Sequence, residues 1–203
     1  MKETKIQFSS AEMELLSNGD IILTKNKALQ KIRTLFEEVQ SIQTEFLQHQ
    51  PSVFRKELFT IPGKISKGEN YLGLPYLILD HPRNFGAGNL FAIRTMFWWG
   101  NFFSSTLHLS GEYLAFKKEI IKNFILLKGE FYIGINKDPW MHHFEINNYK
   151  KIGELTENEF EMICERSDHI KIAAKHPLDN WENATKNLME RWMIYLKICG
   201  LIT

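Results

Sequence analysis

Apolar residues recur at three- and four-residue steps in several parts of the chain, and this spacing predicts amphipathic helices. The longest such stripe covers residues 28–46. Its helix is predicted to end before Pro51, because the residue preceding a proline disfavours the helical conformation. A second stripe predicts a helix over 113–127. Two Ser/Thr–Glu pairs have capping-box spacing and mark further helix starts: Ser9 with Glu12, and Thr156 with Glu159.

Runs rich in β-branched and aromatic residues predict strands in the middle of the chain. The clearest are residues 90–99 and 102–109, which flank Gly100-Asn101. A Gly-Asn pair between two such runs is typical of a β-hairpin with a two-residue turn. Further strands are predicted over 74–79, 131–136 and 142–147.

The two-residue turn fixes a register for this predicted hairpin. It pairs Thr95 with Thr106 and Ile93 with His108. Side chains alternate between the two faces of a sheet, so Arg94 is expected on the opposite face from His108.

The order of predicted elements is typical of an α+β fold and not of regular β–α alternation. We expect one domain with a mostly antiparallel sheet of about four to six strands, its N-terminal and C-terminal helices packed mainly on one face. The chain divides into a helical N-terminal part (about 9–50), a sheet-rich middle (about 57–150) and a helical C-terminal part (about 155–200), all within a single domain, 1–203.

Charge and composition narrow the function classes. Lys and Arg number 25 against 24 Asp and Glu, which gives a net charge of +1 and predicts no broad nucleic-acid surface. The longest apolar-rich stretch, 89–103, is interrupted by Arg94 and Gly100, so no membrane span is expected. The N-terminus lacks a signal-peptide apolar region and the two cysteines form no disulfide framework, which together predict a cytoplasmic protein.

No catalytic, phosphate-loop or metal signature is present in the sequence, and we expect neither a cofactor nor a metal. The segment Gly86-Ala87-Gly88 lacks the lysine and helix start of a phosphate loop. A metal set drawn from Asp80 and several histidines is disfavoured, because the adjacent His142 and His143 would point to opposite faces of a strand.

Arg94 stands out because it lies inside an apolar strand, and a buried guanidinium is unfavourable unless it is paired. The first interpretation is a structural ion pair with Asp80 or Glu69. The second is an anion clamp, since guanidinium binds carboxylate or phosphate through two parallel hydrogen bonds.

The predicted hairpin also suggests a small-molecule site, in which hydroxyls and one imidazole lie beside aromatic rings. The same pattern describes an ordinary solvated sheet face, because Thr–Thr pairs stabilise sheets without a ligand. The candidate ligand-binding residues are Asp80, Arg83, Arg94, Trp98, Trp99, Ser104, Thr106 and His108.

Three function classes follow from these patterns. The first is binding of a small anionic or aromatic ligand on the 90–109 hairpin, with Arg94 or Arg83 holding the anion. The second is a structural or interaction domain that forms a homodimer through aromatic surface. The third is an enzyme whose acid–base residues are Asp80 with His81 or His108.

Overall fold

Seven antiparallel strands form one sheet in the computed structural model, which describes residues 5–49 and 55–202. The strand order is β1-β2-β3-β4-β7-β5-β6, and every adjacent pair is antiparallel. This exceeds the four to six strands predicted, and the α+β class is confirmed. The strands are β1 Lys64–Tyr71, β2 Leu74–Phe85, β3 Leu90–Trp98, β4 Phe102–Ser110, β5 Phe131–Gly134, β6 Tyr149–Lys151 and β7 His169–Pro177.

Six α-helices accompany the sheet in the described residues, and both predicted capping boxes are present. The predicted helix over 113–127 is broken into turns of different type, and the residue expected to end α2, Pro51, lies outside the described ranges. None of these helices is both long and apolar enough to cross a membrane. The helices are α1 Ser10–Ser17, α2 Gly19–His49, α3 Lys117–Lys122, α4 Phe124–Leu127, α5 Glu157–Arg166 and α6 Ala184–Ile198.

The helices pack on one face of the sheet, which we call the helical face. Alternating apolar side chains of the central strands meet α2, α5 and α6 there, because residues two apart on a strand share a face. Phe36 of α2, Phe160 of α5 and Trp192 of α6 are almost fully buried against them. The sheet residues in this core include Leu77, Leu79, Phe91, Ile93, Phe97, Phe103, Leu107, Leu109, Ile170 and Ile172.

The hairpin of β3 and β4 exists, but its predicted register is wrong by one residue. Trp98 pairs with Phe102, which leaves a three-residue loop. The N–H of Asn101 donates to the Trp98 carbonyl oxygen at 3.0 Å, and Gly100 has φ +70°, a value that favours glycine. A shift of one residue moves every side chain of β4 to the other face relative to β3.

Two predicted elements of the second half of the chain are also wrong. Residues 142–147 are not a strand but part of a loop, 135–148, that connects β5 to β6. The part predicted to be helical, about 155–200, contains β7 between α5 and α6. Strand β7 lies between β4 and β5, so it joins the hairpin to the end of the sheet.

Candidate functional site

The face opposite the helices carries a buried row of polar side chains, and we call it the polar face. The corrected register places Arg94 directly beside Thr106, and it pairs His108 of β4 with Lys171 of β7. Asp80 of β2 pairs with Arg94 on its other side. The row therefore crosses four adjacent strands in the centre of the sheet.

Asp80 and Arg94 form a bidentate ion pair at one end of this row. Nε and Nη2 of Arg94 donate to the two carboxylate oxygens of Asp80 at 2.8 and 2.9 Å. The Arg94 side chain is only 13 % exposed and that of Asp80 9 %. Nη1 lies 3.3 Å from Nε2 of His142. These three contacts use three of the five N–H groups of the guanidinium, so two N–H groups remain for another acceptor.

The loop 135–148 covers the polar row. Trp140 lies over the middle of it: its ring centroid is 5.6 Å from Cζ of Arg94 and 5.3 Å from the ring centroid of His108. The carbonyl oxygen of Met141 accepts a hydrogen bond from Nζ of Lys171. His142 completes the cover through its contact with Arg94.

Two tyrosines hold this cover in position. The hydroxyl of Tyr71, at the end of β1, accepts hydrogen bonds from the backbone N–H of His142 at 2.6 Å and of His143 at 3.0 Å. Tyr149, at the start of β6, stacks on Phe144 of the loop with ring centroids 4.7 Å apart and also lies close to Lys171. The loop is therefore fixed at several points.

Burial sets the charge state of the row. It lowers the pKa of His108 to about 3, with the positive charge of Lys171 as the next cause. It lowers the pKa of Lys171 to about 7, assisted by Arg94 and opposed by Asp138. It lowers the pKa of His142 well below its usual range. The imidazoles are therefore neutral at pH 7, and Lys171 is partly a free amine.

A cleft of about 380 Å³ leads from the surface to this row at His108. Nε2 of His108 is buried and has no hydrogen-bond partner among the described residues. Trp140, 48 % exposed, forms one wall of the cleft. A larger cavity of about 630 Å³ lies beside α5, but none of the buried row lines it. We therefore take the cleft at His108 as the entrance to the site.

The structure brings six of the eight predicted ligand-binding residues to one face, although not in the predicted arrangement. The expectation that Arg94 and His108 lie on opposite faces is wrong, because the hairpin loop has three residues. Trp98 and Ser104 lie further along, the indole N–H of Trp98 donating to the Tyr71 carbonyl oxygen. The six are Asp80, Arg94, Trp98, Ser104, Thr106 and His108.

The other named residues lie elsewhere. Trp99 packs on the helical face beside Phe97. Nε of Arg83 donates to the Pro62 carbonyl oxygen at 2.8 Å. His81 contacts Gln43 of α2 through Nδ1, so it cannot act together with Asp80 on the polar face.

Lys171 and Trp140 are the site residues that sequence reasoning did not assign, and His142 enters it only in the disfavoured metal set. Lys171 had a detectable signal, because residues 169–174 alternate polar or small with apolar side chains, as a half-buried strand does. Trp140 had no such signal, since it lies between the two runs predicted as strands, 131–136 and 142–147. Within residues 5–49 and 55–202, no three His, Cys, Asp or Glu side chains are placed to hold a metal ion.

The arrangement combines a fixed guanidinium, an unpaired lysine and a neutral imidazole in a region sheltered from solvent. Such a region strengthens hydrogen bonds to an anion and supports proton transfer. The chain matches no known protein-family model, and no curated protein or solved structure is significantly similar to it.

Proposed function

We propose that this protein binds a small anionic ligand on the polar face, between Arg94, His108 and Lys171. The observation that carries the proposal is an excess of buried donors over acceptors. Arg94 retains two unused N–H groups, and Lys171 forms no ion pair among the described residues. A carboxylate or phosphate supplies the missing acceptors, and charged hydrogen bonds of this kind are the strongest available.

Trp140 and the cleft add support for a ligand of limited size. The cleft volume of about 380 Å³ is at the lower end of the range for small-molecule sites. Trp140 already lies against Arg94, and an aromatic ring in this position can stack on a planar ligand.

We expect oxalate, malonate or inorganic phosphate to stabilise the full chain against thermal unfolding. At a ligand concentration of about 100 Kd the gain is about 2.7 kcal/mol, or roughly 5–10 °C for a chain of this size. Arg94→Lys keeps the positive charge but loses the planar guanidinium that can donate two parallel hydrogen bonds. It should therefore weaken binding at least about tenfold. Differential scanning fluorimetry and calorimetric titration measure both effects.

Arg33→Lys is the matched control, since Arg33 lies on the exposed side of α2 and pairs with Glu37. It should bind the anions as the unchanged protein does. Equal weakening in both variants, or no stabilisation by any of the three anions, would contradict the proposed site.

A second candidate function, self-association, is favoured by a different observation. Several large apolar side chains of α1 and the first turns of α2 are exposed, and we call this set the N-terminal patch. A groove of about 590 Å³ beside Trp99 adjoins it. Large exposed apolar surfaces of this kind mark interaction sites. The patch consists of Met13, Leu15, Leu16, Ile21, Ile22 and Leu23.

On this second candidate we expect the protein to be a dimer in sedimentation velocity at micromolar concentration. Ile22→Glu places a charge in the N-terminal patch and should weaken the dimer by at least about tenfold, because a buried unpaired charge is costly. Ile125→Glu is the control, since Ile125 is equally apolar and exposed but lies on α4. A monomer at all concentrations would remove this candidate.

A further inference from the structure

Lys171 occupies a position that is unusual for a structural lysine. It lies in the middle of β7 with only 1 % of its surface exposed. Its Nζ donates to the Met141 carbonyl oxygen and lies 5.1 Å from the ring centroid of Tyr149. No carboxylate of the described residues lies within ion-pair distance of it, whereas a fully buried lysine is normally paired.

The surroundings of this amine favour its neutral form. Arg94 is a permanent positive charge that acts on it, His108 and His142 are uncharged, and Tyr149 keeps its proton because burial raises its pKa. Among the described residues, Asp138 also acts on the amine and opposes the lowering of its pKa, and His169 is a further ionisable neighbour. A pKa of about 7 leaves roughly half of the amine with a free lone pair at neutral pH.

We propose that Lys171 is a nucleophile that forms a Schiff base with the carbonyl group of a small 2-oxo acid. This inference rests on the proposed function, since Arg94 would hold the carboxylate of the acid. It also specifies the ligand class, because a 2-oxo acid has a carboxylate and a carbonyl carbon on neighbouring atoms. His108, directly opposite Lys171 in the register, provides an unpartnered imidazole nitrogen beside the reacting groups.

The step balances without an added oxidant or reductant. The lone pair of Nζ forms a bond to the carbonyl carbon, and the carbonyl π electrons move to oxygen. Nε2 of His108 accepts one proton from the nitrogen and returns it to the oxygen, which gives a neutral carbinolamine and a neutral imidazole. The nitrogen lone pair then forms the C=N bond as the hydroxyl leaves, and the same imidazole passes the second nitrogen proton to that hydroxyl, which departs as water. Amine plus carbonyl thus gives imine plus water.

Reductive trapping tests this inference on the full chain. The protein is incubated with pyruvate and then with sodium borohydride, which converts an imine into a stable carboxyethyl amine. We expect one adduct in the intact mass, located at Lys171 by peptide mapping, with at least tenfold less at Lys175. Lys175 is the matched comparison, because it lies on the same face of β7 four residues along but is exposed.

Variants extend the test beyond a single substitution. Lys171→Met should abolish the adduct, and Lys175→Met should leave it unchanged. Adducts spread over exposed lysines with Lys171 unmodified would overturn the inference. Stabilisation by pyruvate without any adduct would also overturn it while supporting the anion site. An adduct at Lys171 that forms equally in Arg94→Lys would support the nucleophile and count against the proposed anion site.

Discussion

Replacing Asp80 with asparagine is expected to lower the free energy of unfolding by about 3–5 kcal/mol, because it leaves the Arg94 charge buried without its partner. For a chain of this size the melting temperature should fall by roughly 6–20 °C. The side-chain shape is nearly conserved, so the loss reports the charge and not a cavity. Urea unfolding followed by circular dichroism measures it.

The double variant Asp80→Leu with Arg94→Met separates the cost of an unpaired charge from the value of the pair. Apolar replacement of both partners should restore stability to within about 2 kcal/mol of the original protein. Glu37→Gln, which breaks the exposed Arg33–Glu37 pair, should cost less than about 1 kcal/mol. A similar small cost for Asp80→Asn would show that the buried pair does not hold the polar face together.

This pair also explains why a structural and a functional interpretation of Arg94 are compatible. Asp80 uses one edge of the guanidinium and fixes its plane, while the other N–H groups stay directed to further acceptors. A fixed donor loses less entropy on binding than a mobile one. The structural ion pair therefore orients the group that the proposed anion site requires.

The fold class could be predicted because its signals are local. The capping boxes at Ser9 and Thr156 depend on residues three apart, and both are present. The apolar stripes of the helices depend on residues three and four apart. The structure places these stripes against one face of the sheet. Cys164 in α5 and Cys199, directly after α6, follow the same periodicity and are both buried.

The faces of the hairpin could not be predicted from the sequence because they depend on a single residue of loop length. Gly100-Asn101 fits a two-residue turn, but Trp99 joins the loop and packs towards α2 on the helical face. That placement of a large ring is a tertiary effect, absent from any local pattern. It brings His108 to the same face as Arg94.

Strand β7 was missed because helices flank it on both sides in the sequence. Its alternation is short and includes Lys171, which reads as a solvent-facing residue when no partner strand is known. The pairing of β7 with β4 and β5 and the cover by loop 135–148 bury it.

Acidification is expected to unfold the protein steeply between pH 6.5 and 4. Burial lowers the pKa of His81 and His176 to about 4 and that of His108 to about 3. In this interval the unfolded chain binds a proton at each histidine and the folded chain does not, so stability falls as pH falls. Each histidine lowers the free energy of unfolding by about 1.4 kcal/mol per pH unit in this interval. The three together lower it by about 4 kcal/mol per pH unit. A typical free energy of unfolding of about 5–15 kcal/mol is thus lost within a few pH units.

His81→Asn isolates one of these contributions, because its amide nitrogen can replace Nδ1 as donor to Gln43 without titrating in this range. Urea unfolding at pH 7, 6 and 5 should show a slope of stability against pH that is shallower by about 1.4 kcal/mol per unit. His49→Gln, at the exposed end of α2, should keep the original slope. An unchanged slope in His81→Asn would mean that this imidazole is protonated without unfolding. The stacked contact of His81 with Trp192 would then have to admit a charge in the helical core.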